Sequence, residues 1–84
     1  MIYLIFTHAA IAEAINDIIA DKAILWINDD ILSEQQSAQL AAANITVELL
    51  PKFVKPSDEK GVVTALELVE KQADKGAEIL VEYN

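Results

Sequence analysis

His8, Asp29 and Asp30 are the residues whose types and positions could do chemistry. His8 is the only histidine and follows an apolar run at residues 2–6, while the two aspartates follow an apolar run at residues 23–27. An imidazole can accept a phosphoryl group or exchange a proton near neutral pH, with Asp29 as a possible assistant. The three side chains could also ligate a metal, but adjacent aspartates are common in turns, so we expect no metal site.

The two apolar runs must position these residues. They predict strands of a parallel sheet that is covered on both faces, and the isoleucines between them recur at helical spacing. Because the carboxyl ends of parallel strands meet at one edge of a sheet, we expect the turns at residues 7–8 and 28–30 to share a rim. Amides at the start of the helix could hold a small anion there. The candidate ligand-binding residues are Thr7, His8, Ala9, Asn28, Asp29 and Asp30.

The rest of the chain continues the alternation of strands and helices. Strands are predicted at residues 2–6, 23–27, 45–49 and 77–83, and helices at residues 9–21, 34–43 and about 58–75. Prolines at both ends predict a loop at residues 51–56, and the partly polar last strand suits a sheet edge. This order predicts one α/β domain over residues 1–84, doubly wound and flavodoxin-like, with a four-stranded, mostly parallel sheet.

Residues that commonly cap helices stand at the predicted helix ends. Thr7 is expected to cap the first helix, Ser33 begins a capping-box pattern (S-x-x-Q) at the second, and Ser57 is expected to cap the third. Asn44 is expected in the left-handed conformation after the second helix, and Gly76 is expected to close the third.

Composition excludes several classes of function. The 84 residues include 14 acidic and 6 basic ones, a net charge of −8 at pH 7, which suits solubility or a basic protein partner, and we expect no direct nucleic-acid binding. The absence of cysteine excludes thiol catalysis and disulfides, and no cofactor is expected. No basic region precedes the first apolar run and polar residues interrupt each apolar stretch, so we expect no signal peptide, no membrane span and a cytoplasmic location.

Three residues are candidates for contact with a protein partner: Trp26, Phe53 and Val54. Trp26 lies in an apolar strand and suits the core, although tryptophan is enriched at interfaces. Phe53 and Val54 stand between two lysines and are expected to anchor the loop or to contact a partner. The second helix has one large apolar residue, Leu40, and the sheet has open edges, so we expect a homo- or hetero-oligomer.

The apolar segments resemble those of DsrH/TusB-like members of the DsrE/DsrH sulfur-relay superfamily. Residues 2–6 are similar to that family's opening strand, AILWINDDI at residues 23–31 to its next apolar strand and polar turn, and residues 45–50 to its third strand. The family usually has glycine in place of Asp30, an acidic-Arg-Gly stretch in place of residues 51–56, and often a terminal tryptophan.

This resemblance implies a flavodoxin-like subunit of a heteromeric complex that passes persulfide sulfur towards tRNA thiolation. The DsrH/TusB-type subunit is generally the partner without the transferring cysteine, which suits a chain that has none. No catalytic residue is carried over from the family.

A shorter stretch, IFTHAAIAE at residues 5–13, resembles the phosphorylated-histidine turn of mannose-type phosphotransferase IIA domains. Those domains are longer and have glycine in place of Ala9. This resemblance implies that His8 is a phosphoryl acceptor.

From these observations we predict a non-catalytic interaction subunit, one of a sulfur-relay complex if the first resemblance holds. The alternatives are a phosphoryl-accepting domain that uses His8 and Asp29, and a module that binds a small anion at the strand carboxyl ends.

Overall fold

Seven elements alternate along residues 1–82, the part of the chain that the computed structural model describes. The strands are β1 (Ile2–Ile5), β2 (Ile24–Ile27), β3 (Val47–Leu49) and β4 (Ile79–Glu82), and the helices are α1 (His8–Asp21), α2 (Glu34–Ala42) and α3 (Glu59–Gln72). All strand pairs are parallel, in the order β3-β2-β1-β4. The predicted α/β class is confirmed, and the sheet is compatible with a flavodoxin-like, doubly wound fold.

Side chains alternate along β1 and divide the core into two layers. Tyr3 and Ile5 pack in the layer of α1 and α2, whereas Ile2 and Leu4 pack in the layer of α3. Burial on both faces is the reason that the strands read as unbroken apolar runs. As its composition predicts, α2 buries only Leu40.

Three predicted features of the helix ends are confirmed. The Thr7 hydroxyl accepts a hydrogen bond from the Ala10 amide at 3.1 Å at the start of α1. At α2, the Ser33 hydroxyl accepts from the Gln36 amide at 3.1 Å, and the Gln36 side chain accepts from the Ser33 amide at 2.9 Å. Asn44 is left-handed with φ 59°, one residue beyond the cap of α2.

The predicted start of the third helix is wrong by one residue. Asp58, not Ser57, caps α3, because its Oδ1 accepts from the Gly61 amide at 3.2 Å. Ser57 lies within a turn in which the Asp58 amide donates to the Lys55 carbonyl at 3.0 Å. That turn delays the first helical residue to Glu59.

The predicted end of this helix is also wrong. α3 ends at Gln72 with Ala73 as its cap, and Gly76 lies in the turn that leads to β4. The Ala77 amide donates to the Asp74 carbonyl at 3.0 Å, and Gly76 has φ 88°. A turn of this type needs a positive φ at its third residue, which glycine supplies without strain.

The predicted strands run one or two residues beyond the observed ones at several ends, where the chain enters or leaves a turn or bend. β4 lies at a sheet edge, as predicted, and β3 forms the other edge. Tyr83, the last residue of the predicted final strand, lies outside the described residues.

Candidate functional site

The turns after β1 and β2 share one rim of the sheet. The two strands are parallel with Ile5 opposite Ile27, so the predicted common rim is confirmed. His8 is exposed as the first residue of α1, Thr7 caps that helix, and Ala9 is exposed in the same turn. The start of the helix carries a partial positive charge, which suits an anion near His8. The phosphoryl and anion hypotheses stay predictions.

Asp29 and Asp30 are exposed at the same rim and interact with each other. An oxygen of the Asp29 carboxylate accepts from the Asp30 amide at 3.0 Å, and Asp30 is left-handed with φ 62°. Within residues 1–82, no three histidine or acidic side chains are placed to hold a metal ion. Assistance of His8 by Asp29 remains a prediction.

Asn28 has a structural role that the sequence alone did not reveal. It is 1% exposed, and its Nδ2 donates to the Phe6 carbonyl at 2.9 Å and to the Val54 carbonyl at 2.7 Å. Its Oδ1 accepts from the Val54 amide at 2.9 Å. The three bonds satisfy a buried amide and fasten the loop of residues 50–56 to the carboxyl ends of β1 and β2. Whether Asn28 also binds a ligand stays a prediction.

The three candidate interface residues differ in exposure. Trp26 and Val54 are buried in the α3 layer of the core, whereas the side chain of Phe53 is 63% exposed. Val54 therefore anchors the loop and Phe53 does not, and contact of Phe53 with a partner stays a prediction. Of the three, Phe53 is the one that presents most of its surface to solvent.

Beside Phe53 lies a groove of about 440 Å³ between the loop and α3, here called the α3 groove. Its buried lining residues are Leu50, Val54 and Ala65. On the α3 side, the groove follows Gly61, Thr64, Ala65 and Leu68, a helical spacing that places them on one side of the helix. Small residues at most of these positions leave the groove open. Its volume falls within the range of ligand sites.

Lysines stand at the exposed margin of the α3 groove. Lys52 and Lys60 line it and are exposed, and three of the six lysines of the chain fall within residues 52–60. Asp58 also lines the groove, but one oxygen of its carboxylate caps α3 through the Gly61 amide. Cations and apolar surface therefore occur together here.

A cleft of opposite character lies on the other face of the sheet, here called the acidic cleft. It is lined by Tyr3, Glu13, Asp17, Leu80 and Glu82, and has a volume of about 380 Å³. Burial raises the pKa of the Tyr3 hydroxyl above its usual value of 10.0, and the negative charges of nearby carboxylates and a hydrogen bond with Asp21 add to this.

The α3 groove was missed because its shape depends on how the loop of residues 50–56 lies beside α3, although all its lining residues fall within residues 50–68. The signals that could have indicated it are the cluster of lysines around Phe53 and the small residues Gly61 and Ala65 at helical spacing. Neither signal predicts that the loop folds back beside α3, since Asn28 decides that contact.

Fold and site together define a small doubly wound α/β domain with an apolar, lysine-bordered groove. No family model matches the chain, and no curated protein or solved structure matches it significantly. No helix within residues 1–82 combines the length and apolar character needed to cross a membrane.

Proposed function

We propose that this chain is a non-catalytic interaction subunit that assembles with a protein partner through Phe53 and the α3 groove. The observation that carries the proposal is the exposure of Phe53, 63% of its side chain, in a loop that buried hydrogen bonds hold in place. Aromatic residues in such surroundings are frequent anchors of protein interfaces.

The loop is preorganised for binding. Asn28 binds both the amide and the carbonyl of Val54, and Leu50 at the start of the loop is buried. Phe53 is therefore held between two fixed residues. Because less conformational freedom is lost on association, a rigid loop gains affinity over a flexible one.

A sulfur-relay partner is the finer form of this proposal. The resemblance places a glycine where this chain has Asp30, and Asp30 adopts φ 62°, a conformation that glycine reaches without cost. The chain also has no cysteine, as suits the subunit without the transferring thiol. The left-handed Asp30 is compatible with the family's glycine, the lack of cysteine is compatible with a subunit that does not transfer sulfur, and the heteromeric assembly itself is what the resemblance implies.

The experiment is native affinity purification of the tagged chain, combined with light scattering of what is recovered. We expect a stoichiometric complex that survives His8→Ala and is lost with Phe53→Asp. The matched control is Val63→Asp, because Val63 is also an exposed apolar residue of this layer and lies outside the groove. A monomeric chain without a stoichiometric partner would refute the proposal, and a partner without cysteine would refute the sulfur-relay form.

The same variants separate the alternatives that use His8. A phosphoryl acceptor forms an acid-labile adduct that His8→Ala abolishes, and an anion site makes millimolar phosphate raise the Tm. Neither result is expected of an interaction subunit.

A further inference from the structure

We propose that the α3 groove binds an acidic segment of a partner protein, in which a large apolar side chain is flanked by carboxylates. The inference rests on the proposed function, since it specifies the chemistry of the partner at the same surface.

The interior of the groove selects an apolar side chain. Leu50, Val54 and Ala65 line it as buried residues, and Leu68 and Phe53 extend this apolar lining. Such a surface gains free energy when an aliphatic or aromatic group displaces water from it. A polar or charged group placed there would lose hydration without compensation.

The margin of the groove selects the charge of the segment. Residues 52–60 contain three lysines and two acidic residues, a net charge of +1, whereas the rest of the chain carries −9. Lys52, Lys60 and Asp58 are the charged residues that line the groove, so the two ammonium groups outnumber the single carboxylate and leave the margin with a net positive charge. An acidic segment is attracted here and repelled by most of the remaining surface, which favours binding at this site.

The dimensions favour a short segment over a whole domain face. The wall formed by α3 runs from Lys60 to Leu68, which at about 1.5 Å per residue corresponds to roughly 12 Å. That length matches about four residues of extended chain at roughly 3.3 Å each. That length accommodates one apolar anchor with an acidic residue on either side.

The test selects binders from a random peptide library displayed on phage, with the full chain as bait. We expect enrichment of sequences in which Leu, Ile, Met or Phe is flanked by Asp or Glu. Synthetic labelled copies of the enriched peptides then serve as probes in fluorescence anisotropy. Because surface charge pairs are weak singly, Lys52→Glu with Lys60→Glu should reduce affinity about tenfold or more, by loss of two attractions and gain of two repulsions.

Further variants, including two matched controls, accompany the affinity measurements. Lys71→Glu with Lys75→Glu changes the net charge equally at exposed positions outside the groove and should leave affinity unchanged. Thr64→Trp fills the groove from an exposed position that lines it, and should abolish binding, whereas Val63→Trp places the same ring one residue away, outside the groove. Both tryptophan variants leave buried core residues in place.

Several outcomes overturn the inference: no enrichment, enrichment of basic peptides, or affinity that is insensitive to the groove variants. Self-association that requires Lys52 and Lys60, without peptide selection, identifies a second copy of the chain as occupant and also overturns it. A stoichiometric complex that persists in the Lys52→Glu, Lys60→Glu variant leaves the proposed function standing and removes the inference alone. If the chain binds acidic peptides but forms no stoichiometric complex, the proposed function is refuted and the acidic-peptide specificity of the groove remains.

Discussion

The α3 groove and the acidic cleft are of similar size but lie on opposite faces of one sheet and attract opposite charges. The groove has an apolar interior with lysines at its margin, and the cleft is lined by carboxylates around Tyr3. The net charge of −8 agrees in sign with the cleft but not with the groove. The comparison shows that the sheet separates surfaces of opposite character, so we expect binding to either face to follow its local charge and not the net charge of the chain.

The two regions also differ in how they are built. The groove depends on a loop that three hydrogen bonds of Asn28 hold against the sheet. The cleft lies where α1 and the edge strand β4 meet over β1, so it depends on regular elements. Variants should therefore affect one region without the other.

Asn28→Asp is expected to have the largest effect. The aspartate keeps the size of the side chain but cannot donate to the Phe6 and Val54 carbonyls, and it places a carboxylate against both. At roughly 1 kcal/mol per hydrogen bond, with an added penalty for burying a charge, the free energy of unfolding should fall by about 3 kcal/mol or more. Urea denaturation measures this loss.

Hydrogen exchange should show that Asn28→Asp releases the loop, with faster exchange of the Val54 amide, while amides of α1 beside the cleft keep their relative protection. Asp29→Asn is the control in the same turn, because its side chain is exposed. Equal losses from both substitutions would contradict the role of Asn28 as the support of the groove.

Gly76→Ala is expected to have an intermediate effect, in the turn that leads to β4, the strand whose Leu80 and Glu82 line the acidic cleft. Gly76 has φ 88°, and a Cβ there would meet no atom within 4 Å, so the cost is one of backbone conformation alone. We expect a loss of about 1 kcal/mol in the free energy of unfolding. Strain in this turn should disturb β4 and the cleft and leave peptide binding in the groove unchanged. Lys75→Ala is the control, and no loss relative to it would argue against the turn geometry.

Ionisation of the Tyr3 hydroxyl is expected to have a smaller effect on stability, and only at alkaline pH. Its pKa is raised above 10.0 in the folded chain, by burial and by the nearby carboxylates of Asp21, Asp17 and Glu82, so the folded state holds this proton more tightly than the unfolded state. The resulting stability is present below pH 10 and is lost as pH rises through the folded pKa. The Tm should therefore fall more steeply above pH 10 in the parent chain than in Tyr3→Phe. Parallel curves for the two proteins would exclude the shift.

Lys52→Glu is expected to have the smallest effect on folding. The side chain is exposed, so the free energy of unfolding should change by less than about 0.5 kcal/mol, similar to Lys71→Glu. Binding of an acidic peptide should nevertheless weaken for Lys52→Glu alone. A marked loss of stability in urea would indicate that this lysine supports the loop instead of recognising a partner.

Local patterns were sufficient for much of the architecture. The apolar runs predicted β1 and β2, and their parallel direction brought His8 and Asp29 to one rim. Thr7 and Ser33 were identified as caps because capping depends on residues only three positions apart. The start of α3 was missed by one residue, since Ser57 and Asp58 are both good caps and only the preceding turn chooses between them.

What the sequence determined by itself is therefore the order and type of the elements, because hydrophobic periodicity and capping act over a few residues. The tertiary structure alone decided the strand order β3-β2-β1-β4, the hydrogen-bonding role of Asn28 and the existence of the α3 groove. These depend on contacts between residues far apart in the chain: Asn28 and Val54 are separated by 26 positions. From the sequence alone, an asparagine at this position is equally consistent with a turn, a ligand contact or a buried hydrogen-bonding role. Only the positions of the surrounding carbonyls distinguish these roles.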